Sequence, residues 1–279
     1  MLKIDAHQHF WQYNPLRDQW INNDMAILQG DFLPEHLQPI LEFYGFEGSV
    51  VVQSDQSLQE NLFQLENAEK HPFIKAVVGW VDLQAADLNE HLASFQQFPK
   101  LKGFRSMLQS EPDRALMLRS DFKEGIKQLQ QYGYTFDLLV LPDQLKYAEA
   151  LVAAFPDQPF VLNHIGKPNI RLRQFEDWQQ DIKALAAHDN VYCKISGMVT
   201  EADFRRWKFE DFKPYIDAIF ESFGTRRVMY GSDWPVCRLA ATFGEVMTIL
   251  ENYTSTFNEQ ERALFWAGNA MRFYNINWI

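Results

Sequence analysis

Apolar positions along the chain fall into two alternating textures. KIDAH at the start, GSVVVQ (48–53), IKAVVGW (74–80), KGFRS (102–106), YTFDLLV (134–140), PFVLNH (159–164), VYCKIS (191–196) and RVMYGSD (227–233) read as eight short apolar strands. Between them, stretches such as LQENLFQLENAEKH, ADLNEHLASFQQF, DFKEGIKQLQQYG, LKYAEALVAAF and FEDWQQDIKALAAHD space their apolar residues three or four apart, the period of an amphipathic helix. EQERALFWAGNAMRFY supplies a closing helix after the last strand. Strands alternating with helices predict repeated βα units on a parallel sheet, and the count is that of an α/β (β/α)8 TIM barrel. The 279 residues suit a barrel of this kind, which needs ~250. No Gly/Ser-rich linker or low-complexity tract interrupts the pattern, so residues 1–279 are expected to form a single barrel domain.

In such barrels the chemistry collects at the C-terminal ends of the strands. The expected strand ends carry His7 and His9, Gln53, Trp80, Arg105, His164, Lys194 with Ser196, and Asp233. Residues two apart on a strand share a face, so His7 and His9 would stand side by side, an arrangement that suits a metal or an oxyanion. Histidines and an aspartate from the first, sixth and eighth strands can converge on one point of the mouth. His36, His71, His91 and His188 fall in helices or loops and read as surface residues.

Each candidate has a structural alternative. Asp233 could be a helix N-cap or turn aspartate ahead of WP, and His164 could hydrogen-bond across the barrel core. Arg105 offers a rigid fork of donors to a ligand carbonyl or hydroxyl, or pairs with Glu111 or Asp113 in the following loop. Trp11, Trp80 and Trp234 could stack on a ring or simply pack. Gln53 and Lys194 are candidate hydroxyl binders, and Cys237 and Arg238 stand close to the expected mouth without a catalytic assignment.

Composition narrows the partners. A net charge of −11 argues against a nucleic-acid footprint and against a polybasic membrane patch. A neutral or weakly charged small molecule is the easier ligand. No basic and apolar leader opens the chain, and no run reaches the ~18 apolar residues of a membrane span, so a cytoplasmic protein without a membrane partner is expected. Cys193 and Cys237 are too few for a disulfide framework and read as packed thiols. Nothing in the pattern forbids a homo-oligomer.

IDAHQHFW, GFRSMLQSE, VLNHIGKP, CKISGMVTEA and YGSDWPVC, in barrel order, resemble the amidohydrolase superfamily of the amidohydrolase-2 type. More narrowly they are similar to its sugar-lactonase branch, whose members include L-fuconolactonase and L-rhamnonolactonase. The resemblance runs from residue 4 to the closing GNAMRFY. It implies hydrolysis of a cyclic ester and at most one divalent metal. Two departures accompany it. Many superfamily members carry a lysine or histidine at the end of the fifth strand, where this chain has TFDLLVLP with only Asp137, so a binuclear centre is not expected. The branch also often has a histidine after the fourth-strand arginine, where this chain has Ser106.

Opening a lactone needs a polarised carbonyl, a deprotonated water and a proton for the departing ring oxygen. His7, His9 and His164 would stabilise the oxyanion, through a bound metal or as direct donors. Asp233 would take the water's proton and pass it to the alkoxide. A metal, if bound, would be a single ion, zinc first and manganese second, held by His7, His9 and Asp233 with one position open. Arg105, Gln53, Trp80, Lys194 and Trp234 would contact a sugar lactone such as L-fuconolactone or L-rhamnonolactone. The competing readings are a metal-dependent decarboxylase of the same superfamily and a non-catalytic barrel that binds a sugar acid.

Overall fold

The computed structural model describes residues 1–277. The eight expected strands are present as β1 (Ile4–Gln8), β2 (Gly48–Val52), β3 (Ile74–Gly79), β4 (Leu101–Ser106), β5 (Thr135–Leu138), β6 (Phe160–Leu162), β7 (Val191–Ile195) and β8 (Val228–Tyr230). They form one sheet in the order β1 to β8, every neighbouring pair parallel. The sheet closes at its C-terminal end, where the His9 N–H donates to the Trp234 carbonyl at 2.8 Å and the Asp233 N–H to the His7 carbonyl at 2.9 Å. The molecule is a (β/α)8 barrel.

Helices follow the strands as α1 (Pro34–Phe43), α2 (Leu58–Lys70), α3 (Leu88–Phe95), α4 (Ser120–Tyr132), α5 (Leu145–Ala154), α6 (Glu176–Ala186), α7 (Phe209–Phe223) and α8 (Phe243–Thr254). Side-chain alternation along the strands sorts residues between two cores. Ile4, Ala6, Val50, Val52, Ala76, Val78, Val161 and Met229 form one apolar cluster. Val51, Val77, Phe104, Phe136, Phe160 and Ile195, on the opposite faces, pack with the apolar sides of the helices. The expected closing helix is broken into α9 (Glu259–Ala263), a π turn over Leu264–Gly268 and α10 (Asn269–Phe273). Phe265 and Trp266 are both fully buried, and the wider turn lets two adjacent rings enter the core. No helix among the described residues is long and apolar enough to cross a membrane.

Candidate active site

The N-terminal strand delivers His7 and His9 by means of a bulge. Asp5 pairs with Ser49 and Gln8 with Val51, so three steps along β1 oppose two along β2. The extra residue shifts the alternation: Ala6 stays in the cluster with Val50 and Val52, the Gln8 amide donates to Ser49 Oγ at 3.1 Å, and both imidazoles reach the mouth. Bulges often re-aim side chains beside active sites.

β6 and β8 end at Leu162 and Tyr230, so His164 and Asp233 stand in the loops beyond the strands rather than on them. His164, Ile165, Gly166 and Lys167 all have positive φ, a left-handed turn that costs roughly 1–2 kcal/mol at each non-glycine position. This turn swings the His164 ring to the mouth, where its Nδ1 meets Ser196 Oγ at 2.9 Å. Gly197 leaves room for it, since a Cβ there would stand 2.6 Å from His164 Nδ1. Gly231 does the same for His7, because a Cβ at that position would stand only 2.7 Å from the histidine's own Cβ. Asp233, also at positive φ, is presented by a loop latched to β1. The Asp5 carboxylate accepts from the Ser232 N–H at 2.9 Å, the His7 N–H at 3.1 Å and the Ser232 hydroxyl.

These elements gather the four groups. Asp233 Oδ1 lies 3.4 Å from His9 Nε2, 3.9 Å from His7 Nε2 and 4.0 Å from His164 Nε2, and the Nε2 atoms of His7 and His9 are 3.2 Å apart. His9 Nδ1 is 2.7 Å from the Val52 carbonyl, which can only accept, so that nitrogen carries the proton and Nε2 presents a lone pair. Burial lowers the pKa of all three imidazoles, that of His164 to about 3. Burial also works to raise the Asp233 pKa, but its neighbours, His164 foremost, outweigh it and hold the carboxyl below its usual value. Neutral imidazoles thus surround an ionised carboxylate.

Arg105 is buried beside this cluster. Its guanidinium donates to the Gln53 carbonyl at 2.6 Å and stands 3.3 Å from His7 Nε2 and 3.4 Å from Asn163 Oδ1. These partners replace Glu111 and Asp113, the alternatives that its sequence position allowed. Beneath, Lys194 Nζ makes a fully buried 2.7 Å ion pair with Asp137, whose carboxylate also accepts from the Tyr274 hydroxyl at 2.9 Å and the Asn163 amide at 2.9 Å.

A cavity of about 420 Å³ opens over the cluster, within the range of small-molecule sites. His9, Arg105, His164 and Asp233 line it together with Trp11, Trp20, Met25, Lys167 and Glu201. The other expected ligand contacts lie elsewhere. Gln53 and Lys194 are fully buried below the cavity, committed to Arg105 and to Asp137. The Trp234 ring packs edge-on against Phe10 and Phe32, and Trp80 lines a separate small depression with Asp82 and Phe122. Cys237 is buried, its thiol pushed well up by desolvation, and Arg238 lies over the Phe32 ring beside another groove. Lys167, Glu201 and Trp20 escape a sequence reading because they sit in loops, where spacing carries no signal.

The donor chemistry suits a single divalent ion. Ligand atoms of His7, His164 and Asp233 fall within 4.8 Å of one another, all buried. The expected set had His9 in place of His164. The left-handed turn brings His164 in, while His9 keeps its Nε2 lone pair beside His7 and Asp233. Neutral imidazole and carboxylate are zinc-type ligands.

Fold and site together define a (β/α)8-barrel protein with a histidine–aspartate centre at its C-terminal mouth. The chain belongs to the amidohydrolase family, whose profile matches residues 4–276. It is 39% identical to an L-fucono-1,5-lactonase of Burkholderia multivorans over 286 aligned positions, covering 99% of this chain and 96% of the relative. A second L-fucono-1,5-lactonase, from Burkholderia ambifaria, is 36% identical with 99% and 96% coverage. The crystal structure of a Burkholderia multivorans amidohydrolase with bound zinc superposes with a TM-score of 0.95 at 38% identity, covering 99% of this chain and 100% of the other.

Proposed function

We propose that the protein hydrolyses a sugar-derived lactone of the L-fucono-1,5-lactone kind to the open-chain sugar acid. The observation that carries this reading is the placement of the Asp233 carboxylate, ionised and within 4.0 Å of three neutral imidazoles, at the floor of a ring-sized cavity. That arrangement can serve the opening of a cyclic ester, and the full-length likeness to lactonases supports it.

Asp233 is the proposed general base. Held ionised, it accepts a proton from the attacking water and returns it to the ring oxygen as the acyl bond breaks. The proton balance closes on one carboxylate, with acid and alcohol formed in the same product. Arg105 stands beside His7 with its fork already fixed by the Gln53 carbonyl, so it can meet the developing oxyanion without reorganising. His164 takes part at the cavity wall, positioned by Ser196. His9, committed at Nδ1 to Val52, has only a lone pair to offer and so acts as an acceptor or a metal ligand rather than as an oxyanion donor.

One zinc ion is the proposed cofactor, drawn from His7, His9, His164 and Asp233. When bound, it would polarise the lactone carbonyl and acidify a water. A decarboxylase reading has no support from a specific feature of the site.

The test is a pH-indicator assay with a panel of aldono-1,5- and 1,4-lactones. Acid release well above the spontaneous rate is expected for at least one 6-deoxy member. No acceleration across the panel, or release of carbon dioxide from aromatic acids in its place, would reject the proposal.

A further inference from the structure

The loops after β6 and β7 place in the cavity wall two charged side chains that the chemistry above does not use. Lys167 Nζ and Glu201 Oε1 are 3.2 Å apart, their side chains 23% and 21% exposed. Both lie on elements already built to hold His164. Lys167 ends the left-handed turn that presents that ring, and Glu201 closes the single turn Met198–Glu201 that follows Ser196 and Gly197. The Glu201 carbonyl accepts the Arg171 N–H at 2.9 Å, which ties the second loop to the first. The pair is therefore fixed relative to the proposed reacting centre.

Charge balance in the cavity says what such a pair can recognise. The lining carries two cations, Arg105 and Lys167, and two carboxylates, Glu201 and Asp233, around neutral imidazoles. An anionic substrate would find no excess of positive charge. Because Glu201 already neutralises Lys167, the two present donors and acceptors side by side without net charge, the complement of adjacent hydroxyl groups on a neutral ring. Partly exposed ion pairs add little to stability, so a folding role does not account for the placement.

We propose that Lys167 and Glu201 are the specificity-determining residues that read neighbouring ring hydroxyls of the lactone. This rests on the lactonase reading for the identity of the ring, though not for its recognition. Hydrogen bonds to charged groups are worth enough to favour a hydroxylated ring by roughly 10- to 100-fold over a bare one.

The experiment uses two hydrolysis-resistant probes: a δ-lactam carrying the hydroxyls of an aldono-1,5-lactone, and unsubstituted δ-lactam. Calorimetry on the full chain measures both affinities for the parent, Glu201→Gln and Lys167→Met, and thermal midpoints verify that each variant is folded. The parent should prefer the hydroxylated probe by at least about tenfold, and each variant should lose most of that ratio. Parallel kcat/KM values for the aldonolactone and for δ-valerolactone should show the same collapse of preference. A parent with no preference, variants that keep it, or an equal loss for both probes as a purely structural role would give, overturns the proposal. Failure of the lactonase reading shows separately, as no acid release from any lactone while the preference between lactams persists.

Discussion

Lys194 Nζ stands 3.3 Å from Nδ1 of His7 and 2.7 Å from Asp137, so the imidazole is backed by a buried ion pair anchored across the barrel on β5. Coulombic pressure from Lys194 adds to burial in keeping His7 neutral. Lys194 thus meets His7 from below instead of reaching the cavity.

Lys194→Met leaves the Asp137 carboxylate buried without its cation, a change that typically costs about 3–5 kcal/mol. The urea midpoint should fall accordingly. Lys194→Met with Asp137→Asn, which removes the stranded charge and keeps an acceptor for Tyr274, should recover more than half of the loss. A double variant no more stable than the single one would show that the pair is not what the barrel interior depends on.

Asp233→Asn keeps the shape of the proposed base and removes its basicity. A general base contributes about 100- to 10,000-fold, so kcat for lactone opening should fall by at least the lower figure with the thermal midpoint little changed. Because its neighbours, His164 foremost, hold the Asp233 carboxyl below its usual value, the acid limb of the parent's kcat/KM should lie below the ordinary aspartate pKa of ~3.9, with activity present above it and lost as pH falls through it. A variant within about tenfold of the parent at neutral pH removes Asp233 from the base role.

The sequence made the barrel legible because buried parallel strands and amphipathic helices have different periods, and all eight strands carry that contrast. The meeting of His7, His9, Arg105, His164 and Asp233 at one mouth followed from the fold, although His164 and Asp233 stand in loops past the strand ends. Three-dimensional detours stayed hidden. The bulge in β1 leaves no mark in IDAHQ, and the left-handed turn at His164 uses non-glycine residues that no turn rule favours. Lys194 resembled a hydroxyl binder because nothing local reveals that Asp137, 57 residues away, neutralises it. Trp80, expected at a strand end, and Trp234, expected at the rim, both miss the cavity: Trp80 lines a separate depression and the Trp234 ring packs against Phe10 and Phe32.

Asp5 provides a pH test of stability away from catalysis. Burial raises its carboxyl to about 7 in spite of the bonds it accepts from Ser232 and His7. The folded chain then holds a proton that the unfolded chain releases near ~3.9, so this group's contribution is complete below that value and is lost as pH rises through about 7. Asp5→Asn keeps an acceptor for Ser232 and cannot titrate. The parent should therefore lose stability relative to the variant between about pH 4 and about pH 7, and the difference should level off above. Urea midpoints for both chains across that range measure it, and a difference that does not change with pH contradicts the assignment.

Zinc uptake tests the centre itself. The compact donors allow one ion per chain, and a preparation with two bound equivalents would be at odds with them. The neighbours of His7 would weaken the proposed binding: its Nε2 faces the Arg105 guanidinium at 3.3 Å and its Nδ1 faces the Lys194 ammonium at the same distance. A dication held by His7 would stand close to both cations, and like charges a few ångströms apart cost several kcal/mol even at an effective dielectric of ~20. Removing one of them should strengthen binding. Arg105→Gln, which is neutral and keeps hydrogen-bonding capacity toward the Gln53 carbonyl, is expected to bind zinc at least about tenfold more tightly than the parent in a competitive chelator titration. The same variant should open lactones more slowly, since it loses the donor fork proposed for the oxyanion. Zinc affinity that is unchanged or weaker in Arg105→Gln would mean that the ion is held away from His7, on His9, His164 and Asp233 alone.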